Sequence, residues 1–191
     1  ETALANPART VTGEFRVRTE DSDQRWVECR CRNRVTDPTI GGLVVTLTDV
    51  TERKHKEREL RRFRQAVEQA GHAIYITDTD GTIEYVNPAF ETVTGYSEAE
   101  AVGATPRILQ SGEYDEGFYQ DFWETILDGD RWESEMLDER ADGEEIVLDQ
   151  TVAPITDGDG QIRKFVAVAR DVTERKLYEE ALDDAREELR Q

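Results

Sequence analysis

A run of six residues occurs twice in this chain. Residues 49–54 read Asp-Val-Thr-Glu-Arg-Lys, and residues 171–176 repeat them after an offset of 122. An apolar run typical of a buried strand precedes each copy, and a charged segment typical of a helix follows it. The Asp-x-x-Glu spacing predicts that Asp49 and Asp171 cap these helices, with the Glu bonding back to the cap. The same strand-to-helix junction is therefore expected twice, one small domain and a linker apart.

The first copy ends a partial unit, and the second ends a complete one. Turn-rich segments before the first copy separate three predicted strands, residues 14–19, 25–34 and 42–48. The complete unit is predicted in the order ββαααβββ. Its predicted strands are 73–77, 83–86, 132–140, 145–155 and 163–170, and its predicted helices are 89–94, a short one opened by a capping box at Ser97, and 115–127. Segregated strands and helices indicate an α+β domain with an antiparallel sheet.

Two charged segments flank the complete unit, and both have the spacing of a coiled-coil seam. The seam residues are Leu60, Phe63, Val67 and Ala70 in one segment and Tyr178, Leu182, Ala185 and Leu189 in the other. These positions predict parallel pairing of the helices in a homodimer, with packing of each seam on its own domain as the alternative. The expected organisation is a partial unit at 1–50, a helical linker at 51–67, a complete unit at 68–173 and a C-terminal signalling helix at 174–191.

The charge of the chain excludes several classes of partner. Its formal net charge is −19, and Lys occurs only at positions 54, 56, 164 and 176. Nucleic acid and anionic membrane surfaces would repel such a chain, and no apolar run reaches the roughly 18–20 residues of a membrane span. Acidic excess with scarce Lys indicates a halophilic protein, with an ordinary acidic domain as the alternative. The start at Glu1 without a signal-peptide pattern predicts a cytoplasmic piece of a longer protein.

Few residues carry the chemistry of catalysis or metal binding. Cys29 and Cys31 are expected to be reduced and structural, because residues two apart on a strand pair poorly. His55 and His72 are not clustered with other ligand types, so no metal site is expected. The sequence contains neither a Ser-His-Asp arrangement nor a phosphate-binding Gly-Lys loop. This chain is therefore predicted not to be an enzyme, although the parent protein could be a sensor histidine kinase.

A series of motifs follows in a fixed order along the complete unit. The motifs are Ile76-Thr77-Asp78, Gly81-Thr82-Ile83, Val86-Asn87-Pro88-Ala89-Phe90, Thr94-Gly95-Tyr96, Pro106-Arg107-Ile108-Leu109, Asp142-Gly143 and Asp171-Val172-Thr173-Glu174-Arg175. Together they resemble the PAS sensory family with its C-terminal PAC motif, and residues 14–51 resemble the last part of a further, tandem unit. The resemblance implies a five-stranded antiparallel sheet that holds short helices around a small pocket. It also implies signalling by a change in dimer packing and not by turnover.

The resemblance bears on a light-sensing cofactor. Residues 103–110 are similar to the flavin-facing helix of LOV photoreceptors, a branch of the PAS family. That branch needs a cysteine where this chain has Pro106. Its flavin-bonding amides align with Asp138, Asp149 and Ala169, and burying carboxylates in their place is costly. A LOV-type flavin adduct is therefore not expected.

Other PAS branches imply other ligands. One branch with a similar Pro-Arg-Ile-Leu segment binds FAD without a covalent bond, which implies that Arg107 would meet a phosphate. The haem-binding branch takes its axial His from the helix predicted at 115–127, which contains none, so haem is not expected. The expected ligand is thus none or an unknown small molecule, with FAD as an alternative.

The resemblance also implies which residues form the functional sites. The ligand pocket is expected to include Asn87, Phe90, Arg107, Ile108, Gln110, Phe122, Trp123, Trp132, Leu137, Val152 and Val166. The signal junction is expected at Asp49, Thr51, Asp171, Thr173 and Arg175. The predicted function is a sensory and dimerisation module that relays small-molecule or redox state through its flanking helices. The alternatives are a ligand-free interaction scaffold and an FAD redox sensor that regulates a histidine kinase.

Overall fold

The chain divides into two units, residues 1–64 and 65–191, in a computed structural model that describes residues 10–18 and 23–188. The first unit is an antiparallel meander in which β2 is central. Its strands are β1 (Thr10–Arg18), β2 (Gln24–Arg34) and β3 (Gly42–Asp49). Helix α1 (Thr51–Glu68) follows β3 and continues past the boundary between the units. The three predicted strands are present, although residue 19 lies outside the described residues.

One face of this first sheet is rich in exposed apolar side chains. Alternation along the strands places Phe15, Val45 and Leu47 on the same face as Cys29 and Cys31. Phe15 is 57% exposed and Leu47 is 66% exposed. Both cysteines are free and half-buried.

The second unit begins with a hairpin and a run of short helices. Strands β4 (Ala73–Thr77) and β5 (Ile83–Val86) pair antiparallel and lead into α2 (Pro88–Thr94) and α3 (Glu98–Ala101). A 3-10 helix, Pro106–Leu109, and the longer α4 (Glu116–Leu127) complete this part. Glu100 accepts a 3.0 Å hydrogen bond from the backbone of Ser97, which closes the predicted capping box.

Three long strands complete the second sheet. They are β6 (Trp132–Glu139), β7 (Glu145–Thr156) and β8 (Ile162–Asp171), and the sheet order is β5-β4-β8-β7-β6. All its pairings are antiparallel, so the predicted α+β class and five-stranded antiparallel sheet are confirmed. Helix α5 (Thr173–Glu188) follows β8. Seam residue Leu189 lies outside the described residues.

The core of the second unit lies between the sheet and the helices. Strand alternation sends one set of apolar side chains inward, where they meet Phe90 of α2 and Ile126 of α4. The inward residues include Tyr75, Ile83, Ile146, Leu148 and Phe165. The short helices cover this face incompletely, which leaves room for a cavity.

The helix junctions differ from the expected capping geometry. Helices α1 and α5 begin at Thr51 and Thr173, so the N-cap positions are Val50 and Val172 and not Asp49 and Asp171. Each Asp instead accepts a hydrogen bond from the backbone of the Thr two residues later, at 2.9 Å and 3.0 Å. The seam of the linker also ends early, because Ala70 lies beyond the last residue of α1.

No helix in the described ranges is long and apolar enough to cross a membrane. The same ranges contain no cluster of three or more side chains that could hold a metal ion.

Candidate functional site

A cavity of about 940 Å³ lies in the second unit, on the helix-covered side of the sheet. Side chains of β4, β6, β7 and β8 form its floor, and α4 and the 3-10 helix contribute the opposite wall. Six of the residues expected at the pocket line this cavity, namely Arg107, Gln110, Phe122, Trp123, Trp132 and Val152. A space of this volume is in the range that holds a drug-sized ligand.

Three polar side chains form a buried chain on the cavity floor. Gln150 of β7 donates a 2.6 Å hydrogen bond from Nε2 to Oδ2 of Asp138 on β6. The hydroxyl of Tyr75 on β4 donates to Oε1 of Gln150 at 3.4 Å. Asp138 is 3% exposed, Gln150 is 5% exposed and Tyr75 is 6% exposed. A ligand in the cavity would therefore meet polar side chains from three strands, β4, β6 and β7.

Burial changes the proton affinity of this group. Desolvation raises the pKa of Asp138 from 3.8 to about 7, although the hydrogen bond from Gln150 acts in the opposite direction. Burial, with a smaller contribution from the charge of Asp138, also raises the pKa of Tyr75. Asp138 thus changes charge near neutral pH, whereas Tyr75 stays neutral there.

Aromatic rings form much of the cavity wall. The ring of Tyr114 stacks on Phe118 with a centroid distance of 4.4 Å. Trp132 lies edge-to-face with Phe118 at 5.8 Å and with Phe122 at 4.9 Å. The Tyr114 hydroxyl accepts a 2.8 Å hydrogen bond from the backbone of Leu137, which attaches this ring to the strand that carries Asp138. The wall is therefore a connected set of rings and not a scatter of single residues.

Charged residues lie at the outer part of the lining. Arg107 comes from the 3-10 helix, while Asp80, Asp115 and Glu116 come from the β4–β5 turn and the start of α4. Gly81 in that turn has φ +85°, and a Cβ there would lie 3.1 Å from the ring of Trp123. The turn and the cavity wall are thus in close contact.

Five residues expected at the pocket do not line this cavity. Asn87 is the N-cap of α2: it accepts from the backbone of Ile74 and Phe90 and donates to the carbonyls of Val67 and His72. Phe90 lies in the core, edge-to-face with Tyr75. The other three are Ile108, whose carbonyl accepts from Tyr96, and Leu137 and Val166, which strand alternation turns to the opposite face of the sheet.

The register also corrects the alignment with the flavin-bonding amides. Asp149 is exposed, and its neighbour Gln150 faces the cavity instead. The expectation that Asp149 occupies an amide position is therefore wrong, because alternate residues of a strand face opposite sides. Asp138 and Ala169 do face inward.

Sequence reasoning missed several lining residues. Tyr75, Tyr114, Phe118, Met136 and Gln150 line the cavity but were not expected at the pocket, and Asp138 was expected only as the counterpart of a flavin-bonding amide. Counting back two residues from Val152, which was expected there, would have identified Gln150.

The two copies of the repeat make the same contacts in their own units. Val50 donates to the backbone carbonyl of Trp26, and the Thr51 hydroxyl accepts from the backbone of the same residue at 2.9 Å. Val172 and Thr173 contact Val147 of β7 in the same way, also at 2.9 Å. Each repeat therefore joins the central strand of its meander to the first turn of the following helix.

The last two repeat residues join each helix to the first strand of its meander. Arg53 and Lys54 bind Glu14 of β1 at 2.7 Å and 2.5 Å. Arg175 and Lys176 bind Glu135 of β6, each at 2.5 Å. A paired arrangement of this kind lowers the pKa of Glu14 and of Glu135, chiefly through hydrogen bonds from the Lys side chains.

A second contact joins the turn after β6 to the end of β8. Arg140 donates a 2.6 Å hydrogen bond to Oδ2 of Asp171 and another to the carbonyl of Val93. Partial burial alone would raise the pKa of Asp171, but hydrogen bonds from Thr173 and the charge of Arg140 hold it below its ordinary value. The turn after β6 thus contacts Asp171 before the β8–α5 junction, and Glu135 of β6 itself contacts α5 after it.

Comparison with known proteins identifies relatives of the second unit. The family model of the PAS fold matches residues 61–172. The chain is similar to the LOV domain of a blue-light-activated histidine kinase from Erythrobacter litoralis, with 30% identity and a TM-score of 0.51. That match covers 55% of this chain and 99% of the other.

Two longer proteins are also similar to this chain. The nitrogen fixation regulatory protein of Klebsiella oxytoca is 34% identical over 120 residues, which cover 63% of this chain and 24% of that protein. The bacterioopsin transcriptional activator of Halobacterium salinarum is 34% identical over 136 residues, covering 70% of this chain and 20% of the relative. The chain thus spans a quarter or less of each of these relatives.

Proposed function

The chain belongs to the PAS family, and we propose that it is the sensory module of a longer signal-transduction protein. A small molecule binds in the cavity of the second unit, and α5 carries the change to an output domain. The observation that carries this proposal is the cavity of about 940 Å³ with Asp138, Gln150 and Tyr75 buried on its floor. These side chains hydrogen-bond to one another, but burying the carboxylate of Asp138 with only a neutral amide as its partner among the described residues stays costly, and a ligand could lower that cost. The regulatory names of the similar proteins support a signalling role.

Strand β6 is the element that links ligand and output in this proposal. Met136 and Asp138 face the cavity, while Glu135 on the other face binds Arg175 and Lys176 of α5. A ligand that displaces β6 therefore displaces the anchor of α5 as well. Since α5 presents Tyr178 and Leu182 exposed, a change in its position alters a helix surface suited to dimer contact.

We extend the proposal to the first unit, which we infer to be the last part of a tandem PAS unit. Its three strands have the same order as β6–β8, and a helix follows the last strand in both units. Glu14 and Glu135 each lie on the first strand of the three and pair with an Arg of that helix. Acid-rich composition and similarity to a protein of Halobacterium salinarum support a halophilic source.

Ligand release tests the main proposal. Protein purified at high salt is unfolded, and small molecules in the filtrate are identified by mass spectrometry. We expect the filtrate to contain one compound in an amount close to that of the protein, or a compound that binds again when it is added to the refolded protein. A matched preparation of Val152→Trp, which fills the cavity, is expected to release none. If the filtrates of the two proteins contain the same compounds in the same amounts, the ligand-free scaffold is favoured instead.

The relay is tested by hydrogen exchange in the first turns of α5. Glu135→Gln removes both ion pairs to α5, so amides 174–178 are expected to exchange several-fold faster. Glu133→Gln is the matched control, because Glu133 on the same strand pairs only with Arg131 in the described part of the chain. Equal exchange in the two variants would contradict the role of β6.

A flavin is the second candidate ligand. Arg107, which the FAD alternative places against a phosphate, lines the cavity together with Trp123 and Trp132. Gln150 offers both a donor and an acceptor to the polar edge of a flavin, and Asp138 offers a donor in its protonated form, which its pKa of about 7 allows. A bound flavin would supply redox chemistry, and these residues would bind and orient it. An absorbance band at about 450 nm in the purified protein would identify a bound flavin.

A further inference from the structure

We propose that the cavity binds a small organic cation, with the positive charge held between the carboxylate of Asp138 and the aromatic wall. This inference rests on the proposed function, because it names the chemical class of the ligand in the same cavity. Four features of the cavity support it: an uncompensated buried carboxylate, a set of aromatic faces, the sign of the charge at the opening and the size of the space.

The carboxylate of Asp138 has no countercharge in the described part of the chain. It is 3% exposed, and the one hydrogen bond to its side chain comes from the neutral amide of Gln150. The desolvation that raises its pKa is the signature of a buried anion without a cationic partner. A ligand cation would supply the missing charge at the place where the cost is largest.

The rings that line the cavity with Asp138 are of the type that bind cations. Tyr114 accepts from the backbone of Leu137, the residue before Asp138, and it stacks on Phe118, which contacts Trp132. Faces of Trp and Tyr attract ammonium groups through the ring quadrupole, most strongly where water is excluded. A cation in this cavity would therefore gain from the wall as well as from the floor.

The opening favours cations over anions. Among the described residues that line the cavity, Asp80, Asp115, Glu116 and Asp138 are acidic, and Arg107 is the single basic residue. A cleft lined by one sign of charge raises the local concentration of the opposite ion. The volume of about 940 Å³ far exceeds a bare metal ion, which indicates an organic cation with an apolar body.

Quaternary ammonium compounds and their neutral carbon isosteres test this inference. Choline is compared with 3,3-dimethylbutan-1-ol, and benzyltrimethylammonium with neopentylbenzene, by calorimetric titration at constant high salt. Each pair has the same shape and differs only in charge. We expect at least one cation to bind at least about tenfold more tightly than its isostere, because only the cation is attracted by the carboxylate of Asp138 and by the ring quadrupoles.

Two variants assign that preference to Asp138. Asp138→Asn is expected to weaken binding of the cation about tenfold and to leave the isostere unchanged. Asp149→Asn is the matched control, because it removes an exposed carboxylate from the neighbouring strand. Both variants are compared with the original chain for folding by circular dichroism before titration.

Three results would overturn the inference. They are equal affinity for cation and isostere, an unchanged affinity in Asp138→Asn, and no binding of either cation up to about 100 mM. None of them bears on whether another molecule is released from the unfolded protein. Failure of the cation inference and failure of the sensory proposal are therefore distinguishable.

Discussion

Gln150 donates a 2.6 Å hydrogen bond to Asp138, although the two residues are not partners across the β6–β7 ladder. The register pairs Asp138 with Ile146 and Gln150 with Ser134, so the contact runs diagonally over the cavity floor. The carboxylate of Asp138 is therefore buried, with one amide group as its hydrogen-bond donor among the described residues. The pH dependence of stability should reveal this group.

Replacing Asp138 by Asn should stabilise the protein at alkaline pH. The folded pKa of about 7 lies above the ordinary 3.8, so the folded state holds a proton that the unfolded state releases. The associated stability is complete below pH 3.8 and is lost as the pH rises through 7. Asp138→Asn avoids that loss and should exceed the original chain by roughly 3–4 kcal/mol at pH 8.

Urea unfolding at fixed high salt measures the difference between pH 4 and pH 8. Asp149→Asn is the control, because it removes an exposed carboxylate from the same sheet. A free-energy difference between Asp138→Asn and the original chain that does not change with pH would contradict the buried charge.

Removing Asp171 should loosen the junction between β8 and α5. Asp171→Ala loses hydrogen bonds from the backbone and hydroxyl of Thr173 and from Arg140, which together should cost about 1–2 kcal/mol in the free energy of unfolding. Asp184→Ala, on the exposed part of α5, is the control and should cost less than about 0.5 kcal/mol. If both variants melt alike, the repeat has no structural role at this junction.

Adding a methyl group at Gly81 should disturb the cavity wall. Gly81→Ala and Gly143→Ala share the strain of a positive φ, +85° and +86°, worth about 1 kcal/mol. The new Cβ meets Trp123 at Gly81 but open space at Gly143. Gly81→Ala should therefore lose about 1 kcal/mol more and shift the tryptophan emission. Indistinguishable unfolding curves and spectra would show that the turn does not hold Trp123.

A charge in the seam of α5 should weaken self-association. Leu182 is exposed and lies on the predicted seam, whereas Leu177 is equally apolar and exposed but lies off it. Leu182→Glu should raise the dimer dissociation constant about tenfold or more, and Leu177→Glu should leave it nearly unchanged. Sedimentation equilibrium at high salt measures both. Equal effects of the two substitutions would assign the contact to another face of the helix.

Local sequence signals predicted much of the second unit. The Asp-Gly turn predicted the end of β4 and the start of β5, and the Asn-Pro start of α2 predicted the end of β5. Asn87 and Ser97 form the hydrogen bonds of the helix starts, as predicted. The motif order also predicted the PAS family, which the family match confirmed. These features depend on neighbours in the chain, because turns and caps are formed by side chains a few residues apart.

The amino-acid sequence by itself determined the fold class, the positions of the strands and the longer helices, and the presence of the same strand-to-helix junction in both units. Only the tertiary structure decided that Gln150 and not Asp149 faces the cavity, that Leu137 and Val166 face away, and that Asp138 meets Gln150 diagonally. A shift of one residue turns every side chain of a strand to the other face, so an alignment that is wrong by one position exchanges the inward and outward residues. Which groups share a buried space follows from packing between elements far apart in the chain.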